Sequence, residues 1–218
     1  MAKNRNFVRE TKKIYSLIRP KIESRLQEFE RLWKEGSEKE VFAELVFCLL
    51  TPQSKAKSCF AAVNEFIRND LLFKGSLGEL SRGLNCVRFK NNKAKYILNA
   101  RKLFVDGSKI SIKSRIRQFK DVYQARDWLA RNVKGMGYKE ASHFLRNIGM
   151  GKGIAILDRH ILRNLRHAGV IKKVPDTMSR EKYLEIEGNM KEFAKRIKIP
   201  VTHLDLVFWY KETGEIFK

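Results

Sequence analysis

The sequence predicts an all-α protein of about ten or eleven short helices, and three observations carry that expectation. Apolar residues recur at helical spacing through most of the chain. Only 4 of the 218 residues are proline. The stretches "KEGSE", "KGSLG", "KGMG", "GMGKG" and "VPDT" fall between the periodic segments, and Pro200 opens a further one. No low-complexity segment or internal repeat breaks the pattern.

Taken in order, Val41, Leu45, Cys48 and Leu49 share one helical face. Thr51-Pro52 reads as an N-cap followed by proline in a first turn, so a new helix is expected there. The alternation in "KISIK" fits a short strand, too brief to change the class. Val122, Ala125, Leu129 and Val133 form the next clear face, and Ala141, Phe144, Leu145 and Ile148 the one after it. Ser179 is placed to cap "REKYLEIEGNMKEFAKRI", whose Met190, Phe193, Ala194 and Ile197 align.

Composition narrows the function. Lys+Arg number 46 against 24 Asp+Glu, a formal net charge of +22. Such a charge says little about fold but predicts attraction to polyanions, nucleic acid first, with a steep salt dependence. Adaptation to heat also enriches charge, although there Lys is usually balanced by Glu. The hydrophobic content of 43% and the 14 Phe provide for a packed core, as one domain or two small lobes. Cys48, Cys59 and Cys86 form no CxxC pair, which argues against zinc or an iron–sulfur cluster and fits a reducing compartment. "MAKNRNFVRE" has no apolar core of signal-peptide length, and Glu44 breaks the longest apolar run. A soluble, cytoplasmic or nucleoid-associated protein is expected.

Chemistry concentrates in "VKGMGYKEASHFLRNIG". An amphipathic helix runs into Gly135-Met136-Gly137 and another helix follows, with small Ala141 and Ser142 for close packing. The glycines permit positive φ and close approach of a backbone. Amides of the turn and the next helix N-terminus suit a phosphate. A helix–hairpin–helix over about residues 122–148 would grip a DNA backbone without reading sequence, through Lys134, Gly135, Met136 and Gly137. An ordinary helical corner with glycine caps is the alternative. Lys139 stands at the positive end of the second helix, where acidic residues are preferred. That end disfavours the ammonium form and favours the neutral amine a nucleophile needs, whereas bound phosphates act the other way. Lys139 is therefore either a nucleophile or a phosphate contact. Asp158, 19 residues later, follows the apolar "IAIL" and opens a helix. It reads as an N-cap, and equally as a carboxylate able to stabilise positive charge developing on a sugar.

Hairpin, lysine and aspartate together resemble the helix–hairpin–helix superfamily of DNA glycosylases. "FCLLTPQSKA", "VRFKNNKAKYI", "AILDRHI" and "FWYKETGEIFK" narrow the resemblance to the type-two 8-oxoguanine DNA glycosylase/lyase family, across residues 47–218. Superfamily relatives often carry Gly-Pro or Gly-Val before the aspartate. Ile156-Leu157 here matches the type-two group. The four-cysteine cluster of many relatives is absent.

The resemblance implies one glycosylase domain over residues 1–218, built as two helical lobes with the active site in the cleft between them. It implies a monomer acting on duplex DNA that contains oxidised guanine, with no metal or organic cofactor. It implies Lys139 as Schiff-base nucleophile, Asp158 as catalytic carboxylate, and Trp209 as the aromatic under an extruded base. Lys218 would lie at the base pocket, and Gln53 would face the DNA near the vacated stack. Without the family, Trp209 reads as core, Lys218 as a frayed end and Gln53 as an exposed first-turn residue. A glycosylase of the superfamily with another lesion, or a non-catalytic DNA-binding protein, remain the alternatives.

Overall fold

A computed structural model describes residues 2–107 and 109–218 of the chain. Among these residues are twelve α-helices and one two-stranded ribbon, so the all-α expectation holds. The helices are α1 (Ala2–Lys34), α2 (Glu38–Leu50), α3 (Ala56–Arg68), α4 (Leu71–Lys74), α5 (Leu77–Gly83) and α6 (Lys90–Phe104). After the ribbon come α7 (Ile112–Arg117), α8 (Val122–Asn132), α9 (Tyr138–Asn147), α10 (Arg159–His167), α11 (Arg180–Ile197) and α12 (Val201–Thr213). The ribbon pairs β1 (Val105–Asp106) with β2 (Lys109–Ile110), antiparallel. Only the first two residues of "KISIK" are therefore strand, because Ile112 already starts α7.

Not all the helices are short. Helix α1 runs 33 residues and passes through Pro20. Proline removes a ladder hydrogen bond, yet Ile18 and Ile22 on either side are fully buried against Leu206 and Val207 of α12. Burial of that stripe holds the helix together across the break. Caps set the other boundaries much as the residue types dictate. Ser37 and Glu40 form a reciprocal capping box for α2, and Ser179 accepts from Lys182 N at 3.2 Å to start α11.

Two apolar cores result. One gathers α2–α9, and the other joins Phe7 of α1 to α10, α11 and α12. Helix α2 is the axis of the first and is buried all round from Val41 to Leu50, Glu44 included. The C-terminal tail returns to that core, where Phe217 packs edge-on against Phe47 and Phe60.

The Thr51-Pro52 cap does not form. Thr51 ends α2 and donates its hydroxyl to Cys48 O at 2.9 Å, and the next helix begins only at Ala56. The cause is Lys93 of α6. Its buried ammonium donates to Leu50 O (2.6 Å), Pro52 O (2.7 Å) and Ser54 Oγ (2.9 Å). A cation at the negative end of α2 is favourable, and three satisfied donors fix residues 50–54 as a turn instead of a helix.

Candidate active site

The hairpin is α8, the turn Val133–Gly137 and α9, as expected for residues 122–148. Its chemistry differs in detail. Only Gly135 has positive φ (+89°), and a Cβ there would meet the Tyr96 ring at 2.3 Å. Gly137 is ordinary extended backbone at φ −98°. Met136 is a core residue, 4% exposed, and its N–H donates to Val133 O at 3.1 Å. The Gly137 N–H donates to Glu140 Oε2 at 3.1 Å. Both amides thus serve the turn, and the outward hairpin surface is Lys134, Gly135 and the uncapped first turn of α9.

Lys139 is the second residue of α9, with Nζ 3.4 Å from Glu140 Oε1. Glu140 is the acidic group that this helix end prefers, and it offsets the lysine placed beside it. Asp158 caps α10, accepting from Ile161 N at 2.8 Å through Oδ1. Both residues line one cleft of about 1100 Å³, together with Gln53, Trp209 and Lys218. Its walls come from the first core (residues 51–58, 86–88 and 139–146) and from the second (156–161 and 205–209). Five residues dispersed from 53 to 218 thus meet at one site.

Trp209 is partly exposed and meets His160 edge-on at 5.1 Å. Lys218 is no frayed end. It pairs with buried Glu44 and sits over the rings of Phe60 (4.7 Å) and Phe47 (5.0 Å). Gln53 is exposed at φ +55°, on the tip of the turn that Lys93 ties down and not in a helical first turn.

Four further lining residues escaped the sequence reading. Asp205, 6% exposed, lies one turn before Trp209, and burial pushes its carboxyl up to about 6 despite neighbouring Arg146. Arg146, itself 5% exposed, reaches it only loosely, Nε to Oδ2 3.9 Å, and Asp205 Oδ1 has no intramolecular partner. His143 is held well below its ordinary value by burial, then by the charges of Arg146, Lys139 and Lys218, and stays neutral. Arg88 stacks on Phe89, an exposed aromatic at φ +59°, and donates its N–H to Ser54 Oγ at 3.1 Å. Gln53 and Phe89 both have positive φ, and the Arg88–Ser54 bond ties together the two turns that carry them. The available signals were a lone acid inside the apolar "LDLVF" and basic residues on the inward face of α9.

A lysine just past a helix–hairpin–helix turn, sharing a cleft with an N-cap aspartate and a partly exposed tryptophan, defines the helix–hairpin–helix DNA glycosylase class. Within that class, residues 22–199 match the family described as 8-oxoguanine DNA glycosylase, and the chain belongs to it. It is 46% identical over 218 residues, the whole of both chains, to an 8-oxoguanine DNA glycosylase/AP lyase of Fusobacterium nucleatum. The crystal structure of the 8-oxoguanine DNA glycosylase of Thermotoga maritima superposes with TM-score 0.87 at 34% identity, covering 99% of this chain and 100% of that one. The glycosylase/lyase of Methanocaldococcus jannaschii, solved in complex with a 15mer DNA containing 8-oxoguanine, gives 0.87 at 37% identity over 97% of this chain and 99% of that one. Among the described residues no helix is long and apolar enough to cross a membrane.

Proposed function

We propose that the protein is a bifunctional DNA glycosylase and abasic-site lyase that removes 8-oxoguanine from duplex DNA. The observation that carries this reading is the convergence of Lys139, Asp158, Trp209 and Lys218 on one cleft, in a chain of this family. The excess of basic residues and the exposed hairpin hold the duplex through its phosphates. The glycosidic carbon is unreachable within the stack, so the damaged nucleotide is extruded and its base rests on Trp209.

Lys139 Nζ then attacks C1′ of the sugar, the N-glycosidic bond breaks, and the base departs with the bonding pair. Asp158 keeps one oxygen on the Ile161 N–H and uses the other to stabilise positive charge on the sugar. Ring opening gives an imine between Lys139 and C1′. Loss of a C2′ proton expels the 3′ phosphate and nicks the strand on that side. No metal or organic cofactor enters these steps. Discrimination falls to polar groups at the base edge. Asp205, buried with one oxygen unpaired, is the acceptor available to base N–H donors one turn from Trp209.

The enzyme so read is a cytoplasmic, DNA-associated monomer of a single two-lobed domain. Borohydride reduction on 8-oxoguanine duplex tests it. Wild type should leave a covalent adduct and Lys139→Gln none, with duplex affinity changed by less than about threefold. An adduct persisting in Lys139→Gln would remove the assignment. Preferential release of an oxidised pyrimidine or an alkylated purine across a set of lesion duplexes would remove the substrate.

A further inference from the structure

Helix α11 contributes no residue to the cleft lining among the described residues, yet it carries a buried polar network that reaches both reacting segments. Glu187 takes a bidentate contact from Arg126 of α8, Nη1 to Oε1 2.7 Å and Nη2 to Oε2 3.0 Å. The two side chains are 1% and 2% exposed. Glu187 Oε1 also accepts the Ala155 N–H at 2.8 Å. One turn earlier on α11, the Tyr183 hydroxyl donates to Ala155 O at 2.7 Å and accepts from Leu157 N at 3.2 Å. The same hydroxyl lies 3.2 Å from Ser142 Oγ, which takes Arg126 Nη1 at 3.3 Å. The Arg126 guanidinium lies 5.3 Å from the ring centre of Tyr138, the residue preceding Lys139.

The network therefore touches the chain at 138 and 142, on either side of Lys139, and at 155 and 157, just before Asp158. The Ile154–Leu157 segment has no regular structure of its own to fix it. We infer that Glu187 and Tyr183 are positioning residues that clamp this segment to the hairpin and so set Asp158 against Lys139, with Arg126 serving to neutralise buried Glu187. The inference rests on the roles given to Lys139 and Asp158 above. A purely stabilising role explains the network poorly. Buried ion pairs replaced whole by apolar groups of like size often leave a fold as stable or more so. Defined geometry is what Glu187 Oε1 and the Tyr183 hydroxyl supply to the segment, because small misplacements of reacting groups cost large factors in rate.

Three variants separate geometry from stability. Tyr183→Phe keeps the ring and removes both bonds to the segment. Arg126→Met with Glu187→Gln removes the charges but keeps an oxygen for the Ala155 N–H. Arg126→Met with Glu187→Leu removes that oxygen as well. Single-turnover base release at saturating enzyme, affinity for a non-cleavable lesion duplex, and melting temperature are read for each.

Tyr183→Phe and the Leu double variant should lose about tenfold or more in rate with affinity unchanged, and the Gln double variant should stay within about threefold of wild type. Wild-type rates in the first two, rates falling in step with duplex affinity, or a Gln variant as slow as the Leu variant would overturn the clamp. Should the Leu variant fail to fold, Tyr183→Phe decides alone. Wild-type protein with no borohydride adduct would instead overturn the roles of Lys139 and Asp158. An adduct beside an undiminished Tyr183→Phe overturns the clamp only.

Discussion

Asp205 has the most measurable consequence of any single residue in the cleft. Burial raises its carboxyl to about 6, opposed by Arg146 and supported by the negative charge of Asp158. Above that value it is a carboxylate and accepts strongly from a base N–H; as pH falls through about 6 it becomes a neutral carboxyl and a weaker acceptor. The ratio of base excision to abasic-site cleavage should therefore decline below about pH 6, since lysine-dependent steps cancel in it. In Asp205→Asn the ratio should be low and flat, and a pH-independent ratio in wild type would remove the role. Stability moves the other way. The folded value lies above the unfolded 3.8, so the buried charge destabilises above about 6 and is relieved as pH falls. Loss of activity near pH 5.5 would then not be unfolding by this group. Lys218 can be tested at the same scale. Lys218→Ala leaves Glu44 buried with only Asn147, at a cost of about 1–3 kcal/mol in chemical denaturation. Adding Glu44→Gln should restore stability but not excision if the terminal ammonium acts at the base.

The hairpin and the turn after α2 show how far an element can be read from its own residues. Gly135 combines φ +89° with a Tyr96 ring that leaves no room for a methyl group. Gly135→Ala is expected to cost about 1–3 kcal/mol from backbone strain and overpacking together, measured by urea unfolding. Adding Tyr96→Ala should recover the overpacking part and leave about 1 kcal/mol for the dihedral. Full recovery would mean that the turn relaxes out of positive φ. Gly-x-Gly alone could not say which glycine is essential, because the second is needed only for its N–H. Ser179 capped α11 as its residue type predicts, since the next turn supplies the partner. Thr51 did not cap, because its surroundings are set by Lys93 on a helix distant in sequence.

Across the whole molecule, the net charge of +22 sets the range of binding conditions. With about six to ten phosphates contacted, duplex affinity should fall by roughly 10³–10⁵ between 50 and 200 mM salt. Affinity of anisotropy-labelled duplex, measured across that range, checks it; a slope near zero would show that the charge is not the grip. Lys134→Ala, exposed on the hairpin, should lower the slope by about one unit without changing lesion preference. The cleft itself belongs to this scale. Its lining is drawn from segments beside two cores, one around α2 and one around α12, with Lys139 from the first side and Asp158 from the second.

Helical periodicity, the caps at Ser179 and Asp158 and the hairpin depend on neighbours within a few residues, and the charge on composition alone, so all of them could be read along the chain. Its place after the hairpin singled out Lys139 as nucleophile or phosphate contact, the family motifs favoured the first and added Trp209 and Lys218, and all three line one cleft. Met136 as a core residue, Gln53 on a turn tied by Lys93, and Asp205 and Arg146 in the cleft lining emerged only with the packed fold. Each of those outcomes depends on burial and on partners far along the chain. Local periodicity carries no record of which distant side chain removes water from a residue or completes its hydrogen bonds, and those contacts settle its charge and its role.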